Sequence, residues 1–128
     1  MNPRSAKILV VDDDHLTVKV MQDLLHLHGY QVLTAYDGQE GLSLARAERP
    51  DLIILDVMMP KLDGFKVARL LKSDKLYRRI PIIILTVRAG EEDLALARMS
   101  GADLYLQKPF DPDLFLEKVR DFLPKEGS

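Results

Sequence analysis

The stretch that most constrains the fold is Asp51-Leu-Ile-Ile-Leu-Asp-Val-Met-Met-Pro60. Its apolar run, Leu52 to Leu55, is too short to cross a membrane and too unbroken for a strand with one wet face, so it predicts a buried central strand. Asp56 stands at the carboxyl end of that strand. In an open α/β sheet the carboxyl ends of the strands border the crevice where ligands bind, which makes Asp56 a candidate chemical group. Pro60 then ends further pairing.

Three more segments repeat the pattern. Lys7 to Val11 is a β-branched apolar run that halts at Asp12, Asp13 and Asp14. Pro81 opens a fourth strand whose apolar run, Ile82 to Leu85, breaks at Thr86, and a fifth strand, Asp103 to Leu106, leads to Gln107-Lys108-Pro109-Phe110. A short second strand spans Gln31 to Thr34. Between the strands the apolar period changes to that of helices. Leu16, Val20, Leu24 and Leu27, widened by Met21 and Leu25, give a first helix that ends at Gly29. Leu42 to Ala47 gives a second, terminated by Pro50, and Val67, Leu70 and Leu71 mark the apolar face of a third. Glu91, Glu92 and Asp93 crowd the start of a fourth helix, where the helix dipole favours negative charge, and Leu94, Leu96, Ala97 and Met99 are its expected buried side. Asp111 and Pro112 are a cap and first-turn pair for a fifth helix bearing Phe115, Val119, Phe122 and Leu123. Strands alternating with helices imply a parallel sheet covered on both faces: an α/β, doubly wound, five-stranded architecture.

A chain of 128 residues, 47% hydrophobic and 30% charged, fits one domain with a sizeable core. Residues 1–124 are read as that domain and 125–128 as a frayed tail or the start of a linker. A net charge of −2 argues against direct nucleic-acid binding or a grip on an anionic membrane, and Arg78-Arg79 is read as a solvated loop. The absence of cysteine excludes disulfides and thiolate metal sites, and no signal-length apolar stretch lies near Met1, so a cytoplasmic location is expected.

In the strand order 2-1-3-4-5, the first and third strands are neighbours, which brings Asp12 and Asp13 beside Asp56, with Thr86 and Lys108 delivered to the same crevice. Clustered carboxylates repel unless a cation neutralises them. Mg²⁺ suits an oxygen-only donor set and accepts a phosphoryl oxygen, while Lys108 and Thr86 supply a point charge and a hydroxyl for the other oxygens. A carboxylate nucleophile forming an aspartyl phosphate fits this set.

On these residues, Asp12-Asp13, Asp56-Val-Met-Met-Pro-Lys-Leu-Asp-Gly64, Thr86 and Lys108-Pro109-Phe110, the chain from Lys7 to about Leu123 resembles the receiver domain of two-component response regulators, the CheY-like family with its flavodoxin-like fold. The resemblance implies that Asp56 accepts a phosphoryl group from a sensor histidine kinase or histidine phosphotransfer protein. It implies Mg²⁺ on Asp13, Asp56 and the Met58 backbone carbonyl, Asp12 acting through a metal-bound water, and Lys108 paired with the phosphoryl group after a cis Lys108-Pro109 bond. Thr86 and Tyr105 are then the switch residues that alter the face made by the fourth helix, fifth strand and fifth helix for a downstream protein target, with phosphorylation-dependent dimerisation as one output. Catalysis is limited to Mg²⁺-dependent phosphotransfer and self-dephosphorylation, short of a conventional enzyme. Val87, bulkier than the family's usual residue there, is expected to slow access, and Met58 and Arg88 to tune the phosphorylated lifetime, Arg88 by touching the phosphoryl group or pairing with Glu91 or Glu92.

Other residues take plainer readings. Asp14 is read as loop solvation or a helix cap, His15 as a solvated helix start, and His26 and His28, two apart on a helix, as surface residues. Gly38 and Gly64 are turn glycines. The competing functions are a receiver-like module that binds its partner regardless of phosphorylation, an aspartyl-nucleophile phosphatase, and an FMN carrier. The phosphatase pattern wants its acids two apart before Thr or Val, and an FMN site wants a hydroxyl- and glycine-rich loop where this chain has three aspartates.

Overall fold

A computed structural model describes residues 5–88 and 90–123; the expected tail, 125–128, lies outside them. The elements are β1 (Lys7–Val11), α1 (His15–Leu27), β2 (Gln31–Ala35), α2 (Gly38–Glu48), β3 (Leu52–Leu55), α3 (Gly64–Lys72), β4 (Ile82–Thr86), α4 (Glu91–Ser100), β5 (Leu104–Gln107) and α5 (Pro112–Phe122). The sheet is parallel, in the order β2-β1-β3-β4-β5. This is the expected doubly wound α/β fold.

Alternation along the strands divides the core in two. Leu9, Val11, Ile53, Leu55, Ile82 and Ile84 pack with Leu42, Ala45, Val67, Ala68, Leu71 and Ala97, so α2, α3 and α4 cover one face. Ile8, Val10, Leu52, Ile54, Ile83 and Leu85 pack with Val18, Met21, Leu25, Phe115 and Val119, so α1 and α5 cover the other. Each fully buried Ile or Leu contributes about 1.5–3 kcal/mol, which explains why the central strands are apolar on both faces.

The helices depart from the expected faces in three places. In α1 the buried residues are Val18, Met21 and Leu25, whereas Leu16, Val20 and Leu27 are exposed. Apolar residues crowd this helix on two adjoining stripes, and its phase is set by the short connection from Val11 to the cap at Asp14. There the Asp14 carboxylate accepts Leu16 N–H (3.2 Å) and the Thr17 hydroxyl (2.6 Å). In α3, Ala68 is buried and Leu70 is exposed. In α4 only Ala97 and Ser100 are buried, and Leu94, Leu96 and Met99 lie open to solvent. That helix rests lightly on the sheet because small residues make its contact.

Boundaries move slightly. Helix α2 begins at Gly38, well before Leu42, because the Asp37 carboxylate caps it by accepting Glu40 N–H (2.8 Å). Strand β5 begins at Leu104, and the Asp103 carboxylate instead accepts Ile82 N–H (2.8 Å) and pairs with Lys72 (2.8 Å).

Candidate functional site

The register of the sheet builds the site. Val11 stands opposite Leu55 in the β1–β3 pair, so the next residue of each strand, Asp12 and Asp56, emerge side by side. The ladder extends that far, with Asp56 N–H donating to Val11 C=O (2.9 Å) and Asp12 N–H to Ala35 C=O (3.1 Å). Asp13 follows at the surface, and carboxylate oxygens of Asp12, Asp13 and Asp56 lie within 4.8 Å of one another. Asp12 and Asp56 are buried and Asp13 is exposed, so the cluster opens to solvent on one side.

Lys108 reaches it from the far edge. Its N–H donates to Thr86 C=O (2.8 Å), extending the β4–β5 pair, and the Lys108-Pro109 bond is cis as expected. Its ammonium group lies 2.5 Å from Asp12 Oδ2 and 3.5 Å from Asp56 Oδ2. The other oxygens are held by backbone: Asp12 Oδ1 accepts Asp14 N–H (2.9 Å), and Asp56 Oδ1 accepts Val57 N–H (2.8 Å), with Met58 N–H further off at 3.5 Å. Burial pushes the Asp12 carboxyl above its ordinary pKa, against the Lys108 and Asp14 hydrogen bonds that favour its charged form. One lysine among three carboxylates leaves negative charge uncompensated, and the donors are all oxygen. That is the set a hard divalent cation such as Mg²⁺ takes.

The remaining expected residues fall around this cluster. Thr86 is fully buried, and its hydroxyl accepts Arg88 N–H (3.4 Å). Val87 and Met58 are exposed beside Thr86 and Asp56. Arg88 pairs with Asp93 (Nη2 to Oδ1, 2.5 Å) and with neither Glu91 nor Glu92, because the first turn of α4 brings Asp93 round to face the strand end. Tyr105 is half-buried, with its hydroxyl turned away from solvent and without a hydrogen-bond partner. His15 stacks on Tyr36 with ring centroids 4.0 Å apart, and His26 and His28 are exposed.

Two residues of the site were not legible as such. Gly64 has no positive φ and is not a turn glycine; it is the first residue of α3, and a Cβ there would overlap the Asp56 carbonyl, lying 2.9 Å from its carbon and 3.1 Å from Val57 Cα. Gly38 likewise begins α2, with a Cβ position that overlaps Leu62. Both are glycine for close approach, a property that only the packing reveals. Asp93 carried the weaker signal of an acid in a helix's first turn.

The family model of the response regulator receiver domain matches residues 8–120. Over 117 residues the chain is 50% identical to the alkaline phosphatase synthesis transcriptional regulatory protein PhoP of Bacillus subtilis, a match covering 91% of this chain and 48% of PhoP. Response regulator PleD of Caulobacter vibrioides is 43% identical over 116 residues, covering 91% of this chain and 26% of PleD. The chain thus spans about half the length of one of these relatives and about a quarter of the other. Among solved structures, the receiver domain of the sensor histidine kinase PA1611 of Pseudomonas aeruginosa, with a magnesium ion coordinated in its active-site cleft, matches with a TM-score of 0.86 at 30% identity over 93% of this chain and 98% of that one.

Proposed function

Because this chain belongs to the response regulator receiver domain family, we propose that it is a phosphorelay switch in which Asp56 accepts a phosphoryl group from the phosphohistidine of a sensor kinase or phosphotransfer protein. The observation that carries this reading is the Lys108 ammonium lying across Asp12 and Asp56 within the three-carboxylate cluster. Backbone N–H groups hold Asp56 Oδ1, so Oδ2, the oxygen facing Lys108, is the one placed to attack phosphorus. The P–N bond breaks as the P–O bond forms, and the imidazole leaves with the electron pair. Lys108 shifts to a phosphoryl oxygen, and Thr86 turns its hydroxyl to another. Asp13, Asp56 and the Met58 carbonyl, with Asp12 beside them, would hold Mg²⁺, which would supply positive charge against the phosphoryl oxygens. Hydrolysis of the acyl phosphate resets the protein, with Met58, Val87 and Arg88 setting how fast.

The output is a change in the surface of α4, β5 and α5, read by a protein target or by a second copy of the chain. The shallow seating of α4 on Ala97 and Ser100 supports its role as the element that moves. Residues 1–124 form the receiver unit and the following residues the beginning of a linker in this reading. Among the described residues no helix is long and apolar enough to cross a membrane, and we place the domain in the cytoplasm with its kinase.

The test is the intact mass of the protein and of Asp56→Asn after incubation with a small-molecule phosphodonor or a histidine kinase, with and without Mg²⁺. A single phosphoryl adduct that needs Mg²⁺ and is absent from Asp56→Asn is expected. No adduct from either donor at times short enough to catch a labile one would replace this reading with a module that binds its partner regardless of phosphorylation.

A further inference from the structure

We propose that Asp93 is a positioning residue of the switch, paired with Arg88 at rest and with the Tyr105 hydroxyl once Asp56 is phosphorylated. This deepens the phosphorelay reading and rests on it. Among the described residues, the buried side-chain polar atoms without a hydrogen bond are Asp93 Oδ1 and Tyr105 Oη. One is an acceptor and the other a donor. A buried hydroxyl left without a partner is rare in a folded domain, and an acceptor on the adjoining element that is held by an ion pair alone points to a second arrangement in which the two meet.

The rest of Asp93 explains why Oδ1 is the atom exchanged. Its Oδ2 accepts Gly90 N–H (3.3 Å) and so belongs to the capping of α4. Its Oδ1 touches Arg88 Nη2 (2.5 Å) as an ion pair without the alignment of a hydrogen bond. Only the Arg88 end of the pair is exposed, and with its guanidinium in water that end can be exchanged for another donor to Asp93. The same carboxylate already acts on the phenol: after burial, the charge of Asp93 is the next cause that pushes the Tyr105 pKa up, and Arg88 opposes it.

Arg88 links this exchange to the phosphorylation site. Its backbone N–H donates to the Thr86 hydroxyl (3.4 Å) while its guanidinium holds Asp93. Turning Thr86 toward a phosphoryl oxygen removes the first restraint, Arg88 leaves Asp93, and the freed carboxylate takes the Tyr105 proton as a hydrogen bond. Thr86, Arg88, Asp93 and Tyr105 thus form a contiguous element with two arrangements, the physical requirement for coupling the site to α4 and β5.

The experiment follows Tyr105 by ¹⁹F NMR of the fluorotyrosine-labelled full chain, the resonance being assigned among 4 tyrosines with Tyr105→Phe. Samples are taken at rest and after a small-molecule phosphodonor with Mg²⁺, and the Asp56 adduct is measured by intact mass on the same material. Arg88→Ala, and Asp93→Asn, which offers its one oxygen to Tyr105 at the expense of the long Gly90 bond and loses the charge that holds Arg88, are expected to give one common displaced resonance without phosphodonor, close to that of the phosphorylated unaltered protein. Asp93→Ala is expected to form the adduct yet lose more than half of the phosphorylation-induced displacement. A Tyr105 resonance unmoved by both Arg88→Ala and Asp93→Asn, or a full displacement in Asp93→Ala, overturns the proposal. Absence of the adduct from the unaltered protein instead sinks the phosphorelay reading, while the two variants at rest still decide whether Arg88 and Tyr105 compete for Asp93.

Discussion

Asp12 shows how one residue can serve the site at a cost to the fold. It is buried beside Asp56, and burial pushes its carboxyl pKa up even though Lys108 and the Asp14 N–H favour the charged form. The folded protein therefore holds this proton more tightly than the unfolded chain does. The contribution of Asp12 to stability is fully present at pH values below its unfolded pKa and is lost as pH rises through the folded one. Asp12→Asn removes that dependence. The stability of the variant relative to the unaltered protein, read from urea midpoints without divalent cations, is expected to increase from mildly acidic to neutral pH; a flat or falling difference would show that Lys108 outweighs burial. Asp14, two residues on, behaves oppositely, since its bond from Thr17 holds its carboxyl below the ordinary range. Neighbouring acids thus differ because one is taken out of water and the other caps a helix in it.

Elements bring these residues together through their ends. Parallel pairing in register places Asp12 next to Asp56 and Lys108 next to Thr86, and the helix after β3 must then begin almost on top of Asp56. Gly64 permits that approach. In Gly64→Ala the added methyl meets backbone atoms that cannot rotate away, so the loop from β3 to α3 has to move. The expected loss is about 1–3 kcal/mol of stability, as for overpacking elsewhere, together with slower adduct formation at Asp56. Gly29→Ala is the control: it has no heavy atom within 4 Å of the added methyl but a φ of +85°, so it is expected to cost about 1 kcal/mol and to leave phosphorylation unchanged. Equal phosphorylation rates in the two variants would show that the approach of Gly64 to Asp56 does not matter to the site.

For the whole molecule, a cation held by the acidic cluster would couple binding to global stability. A cation that binds the folded chain alone stabilises it by about 2.7 kcal/mol at a hundredfold excess over its dissociation constant. Mg²⁺ is therefore expected to raise the melting temperature in a saturable way that Na⁺ at equal ionic strength does not reproduce, and Asp13→Asn, an exposed change, is expected to weaken the response tenfold or more in concentration. An undiminished response in Asp13→Asn would place the cation elsewhere. Much of this was legible in the chain: short apolar runs ending in Asp12, Asp56, Thr86 and Lys108 predict both the parallel sheet and the crevice, because a strand buried on both faces leaves its chemistry only at its end. The apolar faces of α1 and α4 were less legible. Leu16, Val20 and Leu27 lie outward while Val18, Met21 and Leu25 lie inward, since a helix with two adjoining apolar stripes is oriented by its connections and not by its own pattern. Sequence alone thus determined the order of the elements and which polar residues end the strands, which are local properties of residue type and spacing. Only the tertiary structure decided which helix faces are buried, why Gly64 must lack a side chain, and which acid holds Arg88, because these depend on the distance between segments far apart in the chain.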